Sequence, residues 1–349
     1  MNPYQSLPPR AFWKTAVAHG DIDQISGLGQ PTKKLERSAA VSTAGSCFAQ
    51  HISRQLRANG FNFIDAEPAP EWLIRERRAQ FGYGIFSARF GNIYSSAQLK
   101  QLIQRASGSF TPTEAVWRTG ERFFDPFRPS IEPNGFESAA EVQRSQETHL
   151  RSVASMFKRT DVFIFTLGLT EIWRSKEDGA VYPSCPGVQA GSFDAGKYEF
   201  VNLTFEQVIS DMRYVIDKLL KIRPHMRFIF TVSPVPLTAT ASSSHVLTAT
   251  TYSKSVLRAV AGQLAEQYEC VDYFPSYELI TAPVFQGQFF DSNMRNVRPA
   301  GVAFVMKSFF RDFCESSPPA EEHQPRSVTV ERDDEGVICD EAVLEFFAQ

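Results

Sequence analysis

Cysteine is scarce in this chain and shows no pairing pattern. There are five, Cys47, Cys185, Cys270, Cys314 and Cys339, an odd number with no Cys-x-x-Cys among them. Neither a disulfide framework nor a structural zinc site is expected. Long apolar runs are also missing: none approaches the roughly 18–20 residues that span a bilayer. The opening MNPYQSLPPRAFWK places proline where a secretory signal needs an apolar stretch. A soluble, cytoplasmic protein with no membrane span is expected. There is no Walker loop, Gly-x-Gly-x-x-Gly, His-Glu-x-x-His or EF-hand loop, which argues against nucleotide and metal chemistry, and no cofactor is expected.

A dominant charge is lacking too, with 36 Lys and Arg against 39 Asp and Glu for a net −3. The balance is uneven along the chain. Residues 315–349 hold ten acidic residues and two arginines, a net −8, which leaves +5 on the rest. That mild excess reads first as a mixed solvated surface; it would also suit an anionic substrate but is no nucleic-acid footprint. What is present is ordinary for a globular fold: 349 residues, 43% hydrophobic, 21 Pro and 20 Gly. The length fits about two domains, or one large α/β domain with insertions.

The organisation reads as three parts. Residues 1–37 are polar, punctuated by Pro and Gly, and are expected to wrap the outside. Residues 38–313 carry the core pattern, and 314–349 form an acidic extension. AAVSTA (39–44) predicts a strand entering a turn at Gly45. QHISRQLRANG predicts a helix from Phe48, Ile52 and Leu56 at four-residue spacing, stopped by Gly60. FNFID (61–65) is the next candidate strand. DVFIFTLG (161–168) and MRFIFTVSPVP (226–236) are nearly continuous apolar runs, as expected of strands buried on both faces, with ECVDYF (269–274) a weaker third. Amphipathic stripes over 204–222 and 252–268 predict the intervening helices. This rhythm argues for a parallel sheet between helical layers. Residues 105–135 and 174–202 are irregular and read as edge insertions able to roof a cleft.

Polar clusters stand where the strands end, which is where open parallel sheets bind ligands. They are Gly45-Ser46-Cys47, Gly91-Asn92-Ile93-Tyr94-Ser95, Gly168-Leu169-Thr170-Glu171, and Ser233-Pro234 with the loop to His245. Cys47 follows a tight glycine turn at the start of a helix, where free N–H groups and the helix dipole favour a thiolate. The same N–H groups suit an oxyanion. The plainer reading is a small buried residue packing the turn. Ser46 is either a competing nucleophile or an ordinary helix cap. His245, in a Ser- and Thr-rich loop beyond a strand, is the favoured base for a Cys–His pair. His51, one helical turn after Cys47, is the second choice, and a site with no histidine base stays open. Arg295 and Arg298 are candidate anion ligands near the site.

Gly45-Ser46-Cys47-Phe48-Ala49 matches the motif that names the GSCFA family. FGNIYSSAQLKQL (90–102), TLGLTEIW (166–173), TVSPVPLTAT (231–240) and YFPSYELI (273–280) resemble its further blocks. The family in turn resembles the SGNH, or GDSL-like, hydrolases. That resemblance implies a flavodoxin-like three-layer α/β/α sandwich acting on acyl esters, often of acetylated glycans, with some relatives transferring acyl groups instead. It puts Cys47 at the nucleophile position, with Ser46 on the aspartate of Gly-Asp-Ser. Gly91 falls on the oxyanion glycine with Asn92 beside it, and Gly168, Thr170 and Glu171 on the third block. An ionised Glu171 cannot donate to an oxyanion; it would orient a histidine or bind a substrate hydroxyl.

The Asp-x-x-His of the last hydrolase block is missing: FDSNMRNVRPAG retains Asp291, Arg295 and Arg298 but has no histidine. The expectation is an acyl-ester hydrolase or O-acyltransferase acting on a small-molecule or glycan substrate, with acyl-CoA a possible donor. Ser233 and Asp291 complete the candidate binding residues. The rival reading is a non-catalytic glycan- or anion-binding module that has lost its base.

Overall fold

The computed structural model describes residues 2–315 and 340–347; the expected acidic extension otherwise lies outside the described residues, as do Cys339 and His323. In chain order the elements are β1 (Val41–Gly45), α1 (Ala49–Ala58), α2 (Arg75–Arg78), α3 (Ser96–Ala106), β2 (Trp117–Thr119), β3 (Arg122–Phe124) and α4 (Ala139–Arg159). Then come β4 (Val162–Leu167), β5 (Glu171–Ser175), β6 (Val181–Tyr182), β7 (Tyr198–Asn202), α5 (Phe205–Ile222) and β8 (Arg227–Val232). The chain continues through α6 (Val246–Gln267), β9 (Val271–Phe274), α7 (Ser276–Thr281) and α8 (Pro299–Phe313), with a short helical segment at Asp340–Phe347.

Among the described residues β1, β4, β8 and β9 form a parallel sheet in the order β1-β4-β8-β9. Side chains alternate across it, as the pleat requires. Phe163, Phe165, Leu167, Phe228, Phe230 and Val232 enter the core beneath α3 to α6. Val162, Ile164, Ile229 and Phe274 enter a second core with α1, α7 and α8. This is the expected three-layer α/β/α sandwich. FNFID contributes only a single parallel bridge, Phe63 to Val41. The Phe63 N–H turns back to the Phe61 carbonyl at 2.7 Å, which breaks the ladder. The irregular stretches hold a β2–β3 hairpin and an antiparallel sheet in the order β6-β5-β7.

β1 differs from its neighbours because it is polar yet fully buried. Ser42 Oγ meets Thr160 Oγ1 at 2.9 Å, Thr43 Oγ1 meets Ser53 Oγ at 2.7 Å, and Thr43 N–H donates to Ser87 Oγ at 3.0 Å. At its end Gly45 has φ 145°, and a Cβ there would lie 2.6 Å from the Thr166 carbonyl oxygen. Only glycine allows this close approach to β4. The leader runs along the opposite end of the sheet: Thr32 N–H and Oγ1 both donate to Asp272. Leu35 bridges to Cys314 just past α8.

Candidate active site

Parallel pairing aligns the strand ends. Gly45 stands opposite Thr166, and Thr166 opposite Thr231, so Ser46-Cys47, Gly168 and Ser233 emerge side by side. The Ser46 N–H donates to the Thr166 carbonyl at 3.2 Å, which draws the turn over β4, and Ala49 N–H donates to the Ser46 carbonyl to start α1. Cys47 is thereby held, buried, one residue before Phe48, the N-cap of that helix. Its neighbour Ser46 is buried as well, and its hydroxyl makes no hydrogen bond among the described residues.

Cys47 lies between two cavities. One, of about 10 Å³, is lined by Ser46, Cys47, Gly168, Ser233, Lys254 and Glu341, among others. The other, of about 250 Å³, is lined by Cys47, His51, Val235 and Arg295, among others. Lys254 is the residue that reading the sequence missed. It is only 2% exposed, and its Nζ donates to the Gly168 carbonyl at 2.6 Å. Burial lowers its pKa to about 8; Arg295 acts in the same direction, while the carboxylate of Glu341 and the sulfur of Cys47 oppose it. A group poised there exchanges protons near neutral pH. The signal was present in the chain: Lys254, Leu257, Ala261 and Leu264 share one buried helical face, so a lysine sits in an apolar stripe.

The Gly91-Asn92 loop reaches the same end of the sheet through Ile93, whose N–H donates to the Gly45 carbonyl at 2.8 Å. Gly91 takes φ 67°, and Ser95 with Gln98 forms the capping box that opens α3. Asn92 is buried. Its Oδ1 accepts from Gln50 Nε2 at 3.0 Å, and its Nδ2 donates to Asp340 Oδ2 at 2.8 Å. The Gln50 bond fixes which end of the amide faces outward as donor.

His245 does not join Cys47 in either cavity. It is the exposed N-cap of α6, its Nδ1 accepting the Leu247 N–H at 3.1 Å, and this helix begins six residues before the predicted stripe. The cap occupies the ring nitrogen that a base would need, which corrects the expected role. His51 does share the larger cavity, edge-on to Phe48, but burial, with the nearby Arg54 charge, lowers its pKa to about 4.

Glu171 opens β5 and accepts from Thr240 Oγ1 at 2.6 Å. Burial raises its pKa, and it anchors the Thr-rich loop rather than lining the Cys47 cavities. Thr170 is wholly buried, its N–H bound to Ser253 Oγ and its hydroxyl to Asn202 Oδ1. Its polar groups are thus committed to the fold. Ser233 lines the small cavity while its Oγ accepts from the Val235 N–H at 3.3 Å. Arg295 pairs with Glu341 at 3.2 Å. Asp291 and Arg298 face each other half-exposed at 3.5 Å and line neither cavity.

The GSCFA family model matches residues 40–309. The chain belongs to the GSCFA family. No curated protein matches the sequence. Among solved structures it is similar to a carbohydrate esterase family 3 protein from Talaromyces cellulolyticus, at 10% identity and a TM-score of 0.37, over 78% of this chain and 94% of that one. It is also similar to an acetyl esterase mutant with acetate ion, at 10% identity and a TM-score of 0.35, over 77% and 93%. In this GSCFA protein no helix among the described residues is long and apolar enough to cross a membrane.

Proposed function

We propose that this GSCFA protein is an acyl-ester hydrolase or O-acyltransferase working through a covalent thioester on Cys47, with Lys254 as the proton carrier. The observation that supports it is the shared cavity of a buried cysteine at a helix start and a buried lysine with a lowered pKa. Cys47 Sγ gives its proton to the neutral Lys254 amine as it attacks the acyl carbonyl carbon, and the carbonyl electron pair moves onto oxygen. Backbone N–H groups of Cys47 and Gly91 and the oriented Asn92 amide stabilise that oxygen. Collapse breaks the ester bond, and the leaving oxygen takes a proton from the Lys254 ammonium. Water or an acceptor hydroxyl then gives its proton to the neutral amine while attacking the thioester; the C–S bond breaks, and the released Cys47 sulfur takes its proton back from Lys254. An acetylated saccharide is the proposed substrate class, and an acyl-CoA thioester is an alternative donor.

Incubation with an acetyl thioester and with acetylated oligosaccharides, followed by peptide mass analysis, tests this. The expected result is an acetyl increment of ~42 Da on the Cys47 peptide, lost in Cys47→Ala along with turnover. Turnover undiminished in Cys47→Ala overturns the mechanism. Ligand binding with neither adduct nor turnover establishes instead the non-catalytic binding module.

A further inference from the structure

The crevice is occupied by the chain itself. Asp340 Oδ2 accepts from Asn92 Nδ2 at 2.8 Å, its N–H donates to Tyr94 Oη at 3.2 Å, and its carbonyl accepts from Gln189 Nε2 at 3.4 Å. Glu341 pairs with Arg295 at 3.2 Å and lines the cavity that holds Cys47 and Lys254. Glu345 stands 3.9 Å from Arg295. The bulky apolar side chains at the end of this segment do little of the holding: Phe346 and Phe347 remain exposed at 80% and 71%. Two carboxylates and the backbone of Asp340 seat the segment.

We propose that the crevice is a subsite for a carboxylate-bearing ligand, built around Arg295 near Lys254 with Asn92 at its Asp340 end, and that Asp340 and Glu341 hold its place in the free protein. This rests on the reading of the Cys47 crevice as the substrate site. The charge logic is direct. A neutral ligand that displaces the segment forfeits the buried Arg295–Glu341 pair, whereas a ligand with its own carboxylate replaces it. Two sources share this chemistry: the free acid released by ester cleavage, and an acidic sugar in the acceptor or substrate. As a tethered competitor the segment acts at a high effective concentration and lowers the apparent affinity for either.

Alkylation of Cys47 in the full-length chain, located by peptide mass, tests the proposal without needing turnover. Neutral iodoacetamide and anionic iodoacetate are compared in the wild type and in Asp340→Asn/Glu341→Gln. The expected result is a rate at least about fivefold higher in the double variant, with the larger gain for iodoacetate. Glucuronate or acetate should slow alkylation in the double variant, glucose should not, and the stronger protector identifies the source. In Arg295→Gln the preference for iodoacetate should disappear. Phe346→Ala, which alters an exposed side chain, should match the wild type. Equal alkylation rates in wild type and double variant, or equal protection by glucose and glucuronate, overturn the proposal. Protection by glucuronate in a protein that turns over no ester leaves this inference standing and removes the acyl-transfer reading.

Discussion

Lys254 Nζ donates to the carbonyl oxygen of Gly168 at 2.6 Å, linking α6 to the end of β4 across the cavity that Cys47 lines. The bond holds the amine in place while burial weakens its grip on a proton. An amine in that position is ionised at neutral pH and gives up its proton in mildly basic solution.

The pH dependence of turnover follows from this. If the neutral amine accepts the proton of the attacking water or acceptor, that step accelerates as pH rises through about 8, where Lys254 deprotonates. Lys254→Met should remove that limb and lower the rate by about 10²- to 10⁴-fold. Lys254→Arg keeps the charge but does not titrate in this range, and should stay equally slow. Rates from pH 6 to 10, with thermal unfolding as a check on folding, decide the matter; an unchanged limb in Lys254→Met assigns it to another group.

Gly45 and Gly91 should respond differently to alanine. Both have positive φ, but a Cβ at Gly45 would collide with the Thr166 backbone, while nothing lies within 4 Å of one at Gly91. Gly91→Ala is expected to cost about 1–2 kcal/mol from backbone strain alone. Gly45→Ala adds a clash that separates β1 from β4, and should cost clearly more or prevent folding. Urea unfolding midpoints compare the two.

Away from the crevice, Asp125 and Arg128 form an ion pair at 2.7 Å with side chains 0% and 2% exposed. Gln146 Nε2 donates to the same carboxylate at 3.0 Å. Asp125→Ala should destabilise the fold by about 3–5 kcal/mol because it strands a buried guanidinium. Asp125→Ala with Arg128→Met should recover much of that loss. A double-mutant cycle in denaturant measures the coupling.

Acid should weaken the fold well before most carboxylates titrate. His149 is buried, with Nδ1 2.6 Å from Glu67, and burial, with the charge of Arg128, lowers its pKa to about 4. Above about pH 6.5 the imidazole is neutral in both folded and unfolded chains. Below that the unfolded chain binds the proton first, so stability falls until the folded chain also binds it near pH 4. The loss attributable to this residue should be of order 2 kcal/mol by pH 5, and His149→Gln should flatten the slope between pH 7 and 5. Unfolding curves at half-unit intervals test the sign.

Much of the fold was readable because it rests on local patterns. The runs VFIFTL and RFIFTV are apolar at every position that a doubly covered strand must bury, and they became β4 and β8. The turn at Gly45-Ser46-Cys47 was readable as the end of a strand and the approach to a helix. The proton carrier proposed for the site was not. His245 stood beyond a strand in a polar loop, but its ring was already needed to cap α6. Lys254 shares the spacing of the buried face, but an amphipathic stripe is read from its apolar members, and a lone cation within it looks like surface until the helix is packed. The docking of Asp340–Phe347 depends on contacts across some 250 residues of sequence separation, as between Asn92 and Asp340, and no local pattern encodes it.

The hydroxyl ladder of β1 has a consequence for how this scaffold tolerates change. On β4 and β8 position is set by volume, and one apolar residue of similar size substitutes for another at modest cost. On β1 it is set by direction, through Ser42 to Thr160 and Thr43 to Ser53 and Ser87. Removing one hydroxyl there would leave its buried partner unsatisfied. The turn that carries Cys47 therefore hangs on serine and threonine hydroxyls that line neither of its cavities.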